Sequence, residues 1–280
     1  EKSPYTGSHC RRIPVLTMML AEACHEIDAG ALSEFSMNEQ DRYELRTAAW
    51  LHDCGKITSP EYVMDKATKL ETIFDRIELV DTRIEVLKRD AEIAMLRAQL
   101  DGGNADSLAE HFQLQLQTLD EERAFLRTAN IGGEFMTEEA QQRVEQVAQR
   151  TWCNPDGDLV NLLNEDEVYN LNIAKGTLTA EERTIINNHM VATINMLEAL
   201  PFPKHLQRVP EYAGGHHEKM DGTGYPKGLR RDEMSVPARV MAIADIFEAL
   251  SARDRPYKQG KTLTECLRIL GFMCKDDHID

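Results

Sequence analysis

Apolar positions along most of the chain recur at spacings of three and four, and period-two alternation is scarce, so the sequence predicts an all-α protein. One helix is expected over roughly residues 8–29. A second, over 39–53, ends in "AAWLHDCGK". After "ITSPEYVMDKATK" the pattern tightens. Leu70, Ile73, Ile77, Val80, Ile84, Leu87, Ala91, Ala94 and Ala98 step by alternating threes and fours with charges between them, which is the a/d seam of a coiled coil. "DGGNAD" at 101–106 breaks the seam. Leu108, Phe112, Gln115, Leu119, Glu122, Leu126 and Ala129 then continue it in weaker form. This reads as an antiparallel, coiled-coil-like helical hairpin, and about thirty residues at the helical rise reach roughly 45 Å. Such an arm is expected to dimerise or to pack on another domain; the plainer alternative is a decorated surface arm. "NPDGD" at 154–158 is a turn. Thr179 and Glu182 form a capping box that opens a further helix. Pro201, Pro203 and Pro210 mark loops, and a helix over 236–252 carries Asp245.

Composition narrows the class. A chain of 280 residues with 42% hydrophobic and 29% charged residues can bury a sizeable core in one large domain or two smaller ones. The net charge of −16 argues against general binding to DNA or to membrane surfaces. An anionic substrate would therefore have to be held by metal ions or by a few local bases. No apolar run reaches 18 residues, and the nearest, "IPVLTMMLAEACHEI" at 13–27, is interrupted by Glu22 and Glu26, so no membrane segment is expected. The six cysteines form no CxxC pair and read as reduced thiols, which points to a cytoplasmic setting, with this chain standing alone or as the cytosolic part of a larger sensor.

Candidate chemistry lies in the histidines. Of nine, His25, His111, His205 and His278 sit in no motif and read as surface or satisfied core residues. "HDCGK" sets His52 beside Asp53, with Lys56 three residues on. His189 stands alone on a helix face, and "HHEKMDGTGYP" places His216 and His217 ahead of a turn rich in glycine. Asp245 lies in the otherwise apolar "AIADIFEAL", where a bare carboxylate is costly unless solvated, paired or bound to metal. Mixed imidazole and carboxylate ligands suit Fe, Mn, Zn or Ni rather than Mg or Ca, and so many ligands make two metals sharing a bridging carboxylate plausible.

Taken in order, His9, "HDCGK", "GTLTAEERTIINNH", "HHEKMDGTGYP", Asp245 and "RPYK" resemble the HD-GYP family, a subgroup of the HD metal-dependent phosphohydrolases. The HHExxDGxGYP and HDxGK patterns are matched at every fixed position, and the resemblance covers about residues 5–66 and 171–265. It implies an HD-domain helical bundle and an enzyme that hydrolyses a cyclic dinucleotide, cyclic di-GMP or 3′,3′-cyclic GMP-AMP, to the linear dinucleotide or further to mononucleotides, by attack of a metal-bridged hydroxide. Carried over by position, His52, Asp53 and Asp245 would bind one ion and His189, His216 and His217 the second, with Asp53 bridging and His9 aligned with a first-helix ligand. Family members with three metals carry a Glu four residues before that histidine. Tyr5 stands there in this chain, which argues for two ions, iron or manganese first and nickel or zinc as alternatives. Lys56 resembles the lysine facing the scissile phosphate. Arg255 and Lys258 resemble phosphate-holding residues, although "SARDRPYK" runs one residue longer than the common pattern. Asp221, Gly222 and Tyr225 belong to a loop linked in the family to substrate and to diguanylate-cyclase partners. A plain tight turn is the competing reading for Asp221, Gly222 and Gly224.

The family spans the gap between the HD dipeptide and the next histidine briefly, whereas His52 and His189 are 137 positions apart here. The expected organisation is therefore one discontinuous catalytic domain, 1–66 with 171–280, carrying an insertion at 67–170. The insertion could relay a sensor signal, form a homodimer or cap the site. Two other functions compete: a non-catalytic cyclic-dinucleotide receptor or interaction module, and another HD-type nucleotide phosphohydrolase. Cys54 reads as a small buried hydrophobe, with a redox role as the alternative.

Overall fold

A computed structural model describes residues 4–133, 135–253 and 260–280, with the side chains of 4–6 left aside. The described chain is predominantly helical and packs as two compact units, one made of Glu1–Met64 with Arg183–Asp280 and the other of Asp65–Glu182.

In the first unit, α1 (Pro4–His25) and α2 (Glu39–Leu51) pack together, α2 opening with a capping box between Asn38 and Asp41. α1 stops at His25, short of the expected 29; the His25 ring then accepts the Met37 N–H at 3.2 Å, closing the loop toward α2. A 3₁₀ turn over Cys54–Thr58 and the short α3 (Glu61–Met64) follow. Later in the chain the unit adds α9 (His189–Glu198), α10 (Val209–Gly214), α11 (Val236–Ser251) and α12 (Leu263–Lys275). Its core holds Ile13, Ala21, Leu45, Ala48, Ala49, Leu197, Val209, Ala213 and Met241 from α1, α2, α9, α10 and α11. Burying each large aliphatic side chain here stabilises the unit by about 1.5–3 kcal/mol before entropy is counted. Glu44 of α2 is buried, and its carboxylate accepts Arg208 N at 2.6 Å and Arg208 Nε at 2.8 Å. That contact fixes the start of α10, the helix whose end delivers His216 and His217.

In the second unit, α4 (Ile77–Leu100) and α5 (Ala105–Asn130) form the hairpin. α6 (Glu138–Ala148), a two-stranded antiparallel ribbon of β1 (Thr151–Cys153) and β2 (Leu159–Asn161), and α7 (Glu165–Leu171) pack at its base. Leu70, Ile77, Val80, Ile84, Leu119, Leu126, Val144 and Leu162 make the core. The heptad seam starts later than its pattern suggests. Leu70 is buried ahead of α4, while Ile73 is 98% exposed on a turn. Side chains compete with helix formation there: Glu71 accepts the Ala67 N–H at 2.7 Å and Asp75 the Ile77 N–H at 3.0 Å. Toward the tip, Ile93, Leu96, Leu100 and Leu114 are exposed.

The unit also extends past the expected boundary at 170. Residues 171–182 bond within it, through Lys69 Nζ to the Leu171 carbonyl (2.7 Å), Met136 N to the Ala174 carbonyl (2.9 Å) and Thr177 Oγ1 to the Lys66 carbonyl (3.0 Å). Thr179 and Glu182 make their capping box in both directions as α8 (Ala180–Asn187) begins. No helix among the described residues is long and apolar enough to cross a membrane.

Candidate metal centre and active site

Seven side chains far apart in the sequence converge inside the first unit. Three overlapping groups, His9 with His52 and Asp245, His52 with Asp53 and His216, and His189 with His216 and His217, each place their ligand atoms within 4.8 Å of one another. Each residue arrives by a local device. His9 projects from α1, Asp245 from α11, and His189 opens α9. His52 caps the C-terminus of α2, and Asp53 precedes the 3₁₀ turn. His216 and His217 follow directly on α10.

The glycine of "HDCGK" explains how the HD dipeptide reaches α9. A Cβ on Gly55 would lie 2.1 Å from the His189 carbonyl oxygen and 2.4 Å from Thr193 N, so only glycine permits this approach. The Gly55 N–H donates to Thr193 Oγ1 at 2.9 Å and locks the turn against the helix.

Three of the histidines share one orienting bond. The Nδ1 of His52 faces the Ala49 carbonyl at 2.8 Å, that of His216 faces the Ala213 carbonyl at 2.7 Å, and that of His189 faces the Ile186 carbonyl. A carbonyl only accepts, so Nδ1 carries the hydrogen in each and Nε2 is left to the interior with its lone pair. The buried Nε2 of His189, Nε2 of His216 and Oδ1 of Asp53 have no hydrogen-bond partner, yet Asp53 Oδ1 lies 3.2 Å from the first and 3.9 Å from the second. Three buried acceptors aimed at one another need a cation or a shared proton between them. A proton on His216 is disfavoured, because burial, then His217 and His52, hold its pKa well below the ordinary value. Burial likewise brings His217 down to about 4. The donor set thus fits metal ions.

His9 is oriented differently. Its Nδ1 lies 2.5 Å from the Glu248 carboxylate, which also receives Arg12 Nε at 2.7 Å. Its Nε2 lies 3.1 Å from Asp245 Oδ1 and 3.3 Å from Asp53 Oδ2. Burial opposes protonation of His9, but the carboxylates of Asp245, Asp53 and Glu248 outweigh it and raise the pKa to about 11. Glu248 was not singled out from the sequence. Its place three residues after Asp245, on the same face of α11, is the signal that could have found it.

Lys56 Nζ donates to Asp53 Oδ2 at 2.6 Å. Burial would lower the Lys56 pKa, but Asp53 and Asp245 more than reverse this and hold it charged. Tyr225 stacks on His217, with centroids 4.9 Å apart and planes 14° from parallel. Burial, with Asp245 and Asp53, pushes its phenol above the ordinary value, so the hydroxyl stays a donor. Asp221 is exposed and spends Oδ1 on the N–H and hydroxyl of Thr223, both at 2.8 Å, and Gly222 adopts φ 82° in the same turn. That geometry fits the tight-turn reading. Burial raises the Cys54 thiol, as suits a small packing residue. Arg255 and Lys258 lie outside the described residues, as does the side chain of Tyr5.

Part of the chain is similar to known proteins. Residues 165–280 match the HD domain family. The chain is 42% identical over 95 residues to 3′3′-cGAMP-specific phosphodiesterase 3 of Vibrio cholerae, covering 34% of this chain and 20% of that protein. It is 41% identical over 93 residues to a cyclic di-GMP phosphodiesterase of Thermotoga maritima, covering 33% and 25%. With the cyclic di-GMP phosphodiesterase response regulator RpfG of Xanthomonas campestris it shares 30% identity over 148 residues, covering 52% and 38%. The chain thus spans less than two fifths of each of these relatives. The matched HD domain includes His189, His216, His217 and Asp245, while His9, His52 and Asp53 lie before the second unit. Residues 165–280 are thus similar to the HD domain, and the chain carries the HHExxDGxGYP and HDxGK patterns.

Proposed function

We propose that this chain is a phosphodiesterase for a cyclic dinucleotide, cyclic di-GMP or 3′,3′-cyclic GMP-AMP, working with two divalent cations, iron or manganese before nickel or zinc. The observation that carries the reading is the set of opposed buried acceptors, Asp53 Oδ1 with the Nε2 atoms of His189 and His216, inside a ring of further His and Asp ligands. In this reading His9, His52, Asp53 and Asp245 would hold one ion and His189, His216 and His217 the other, with Asp53 contributing to both. Bound cations would supply Lewis acidity, activating water near neutral pH and neutralising charge on the phosphodiester.

The protein's own groups do the remaining work. The carbonyls behind His52, His189 and His216 fix the tautomers, and Glu248 fixes the His9 ring. Lys56, held as an ammonium beside Asp53, balances negative charge developing on the phosphate. Its raised pKa suits it to that role better than to proton donation. Tyr225 offers a hydroxyl and a ring edge to the substrate from its stack on His217. Arg255 and Lys258 are further phosphate contacts by position in the motif. Relatives named for each of the two cyclic dinucleotides support the substrate class.

The test is product analysis. Protein loaded anaerobically with iron or manganese is incubated with each dinucleotide, and linear dinucleotide and mononucleotides are resolved by chromatography. Turnover of one or both is expected. A fully metallated protein that turns over neither would overturn the proposal.

A further inference from the structure

Glu218, the third residue of "HHE", is buried, yet it belongs to none of the ligand groups. A carboxylate at 2% exposure is costly unless its oxygens are satisfied. Here both go to the main chain of one loop: one oxygen accepts Lys227 N at 2.7 Å and the other Leu229 N at 2.9 Å. Such charge-assisted bonds are among the stronger ones a protein makes. Between residue 218 and these two amides lies the Gly-Tyr-Pro segment.

The segment is folded back on the stretch that carries the histidines. The Tyr225 N–H donates to the His217 carbonyl at 3.2 Å. Gly224 packs so closely that a Cβ there would lie 2.4 Å from Lys219 N and 2.5 Å from Glu218 Cα. The Tyr225 ring, two residues before the first clamped amide, is thereby laid on His217. On the far side of the clamp Leu229 packs with Met220, Met234 and Ala238. The Glu218 carboxylate is thus the link between the histidine pair and the returning strand of the loop.

We infer that Glu218 is a positioning residue: its carboxylate latches the loop of residues 219–229 closed on His217 and so sets the place of the Tyr225 ring at the substrate's side of the metal centre. This rests on the phosphodiesterase reading for its kinetic consequence and on geometry alone for the latch. Glu218→Ala removes both acceptors. Glu218→Gln keeps one and turns an NH₂ toward the other N–H.

The experiment combines amide hydrogen exchange with steady-state kinetics on the metallated chain. In Glu218→Ala the amides of Lys227 and Leu229 are expected to exchange about tenfold to a hundredfold faster, the loss of charge-assisted bonds, while α9 amides stay as they were. Bound metal is expected to stay at the wild-type ratio. KM for the cyclic dinucleotide should rise about tenfold with kcat little changed, as for lost substrate binding. Glu218→Gln should fall between, and it carries the same measurements if the alanine variant does not fold. Protected amides at 227 and 229 in the variants would overturn the latch. Accelerated exchange with unchanged KM would overturn the positioning role. Absence of turnover in the wild type would instead remove the phosphodiesterase reading, with the exchange data still deciding the latch.

Discussion

Replacing Gly55 by alanine tests whether the HD turn and α9 must touch for the metal centre to exist. The new Cβ would sit 2.1 Å from the His189 carbonyl oxygen and 2.4 Å from Thr193 N. Both are backbone atoms, so no side chain can swing away. Restoring even a tight 3.0 Å contact from 2.1 Å requires about 0.9 Å of separation between the turn and the helix. Such overpacking costs about 1–3 kcal/mol, or more where backbone must move. The same displacement widens the 3.2 Å gap between Asp53 Oδ1 and His189 Nε2, while metal–ligand distances tolerate only about ±0.2 Å. Gly55→Ala should therefore lose both stability and metal affinity, the latter by about 10-fold to 100-fold, the range seen when ligand placement is disturbed. Competition with a chelator of known affinity reads the affinity, and thermal denaturation with and without metal reads the stability. Gly271 of α12 is the control, since a Cβ there meets nothing within 4 Å. Gly271→Ala should stabilise by about 0.5–1 kcal/mol and leave metal binding alone. Wild-type metal affinity in Gly55→Ala would refute the reasoning.

Further expectations follow from single contacts. Glu248→Gln weakens the hold on His9 Nδ1 and should lower metal affinity about 10-fold to 100-fold, with a loss of thermal stability in the metal-free protein as well, since the buried carboxylate also pairs with Arg12. The same chelator competition checks it. Lys56→Met should leave metal content at the wild-type ratio and reduce turnover by about 100-fold or more, measured as kcat/KM, because it removes one preorganised charge. Lys69 gives a pH test in the second unit. It is buried against the Leu171 carbonyl and the Met136 sulfur, and burial lowers its pKa to about 8. The unfolded chain then binds more protons between about pH 8 and 10.5, so wild-type stability should rise with pH across that window. Lys69→Met should flatten this rise in melts recorded at pH 7.5 and pH 9.5.

Most of the candidate ligands drew notice in the sequence because their residue types carry the chemistry where they stand, while His9 and His189 gained theirs from the order of motifs. His52 and Asp53 are adjacent, His216 and His217 are adjacent, and Asp245 stands out on an apolar helix. What holds them was not legible. Gly55 matters through Thr193 and His189, more than 130 positions away, and nothing local to "HDCGK" shows that contact. Glu248 acts on His9, 239 positions earlier in the chain. The hairpin was readable from its heptads, but its start was not. Glu71 and Asp75 bind nearby amides and stop the helix from forming ahead of Ile77. Residues 171–182 read as part of the catalytic domain by resemblance, yet they pack with the second unit. The reason is a set of hydrogen bonds to Lys66, Lys69, Gly133 and Met136, none of them visible in the local sequence.

The most direct test of the account is the number of metal ions retained per chain, by elemental analysis after anaerobic loading and desalting, in the wild type and in Asp53→Ala. The account predicts two in the wild type. In Asp53→Ala it predicts loss of most of that metal, because the carboxylate proposed to serve both ions, with its oxygens beside His9 and His189, is gone. A wild type that retains no metal, or an Asp53→Ala variant that retains both ions, would contradict it.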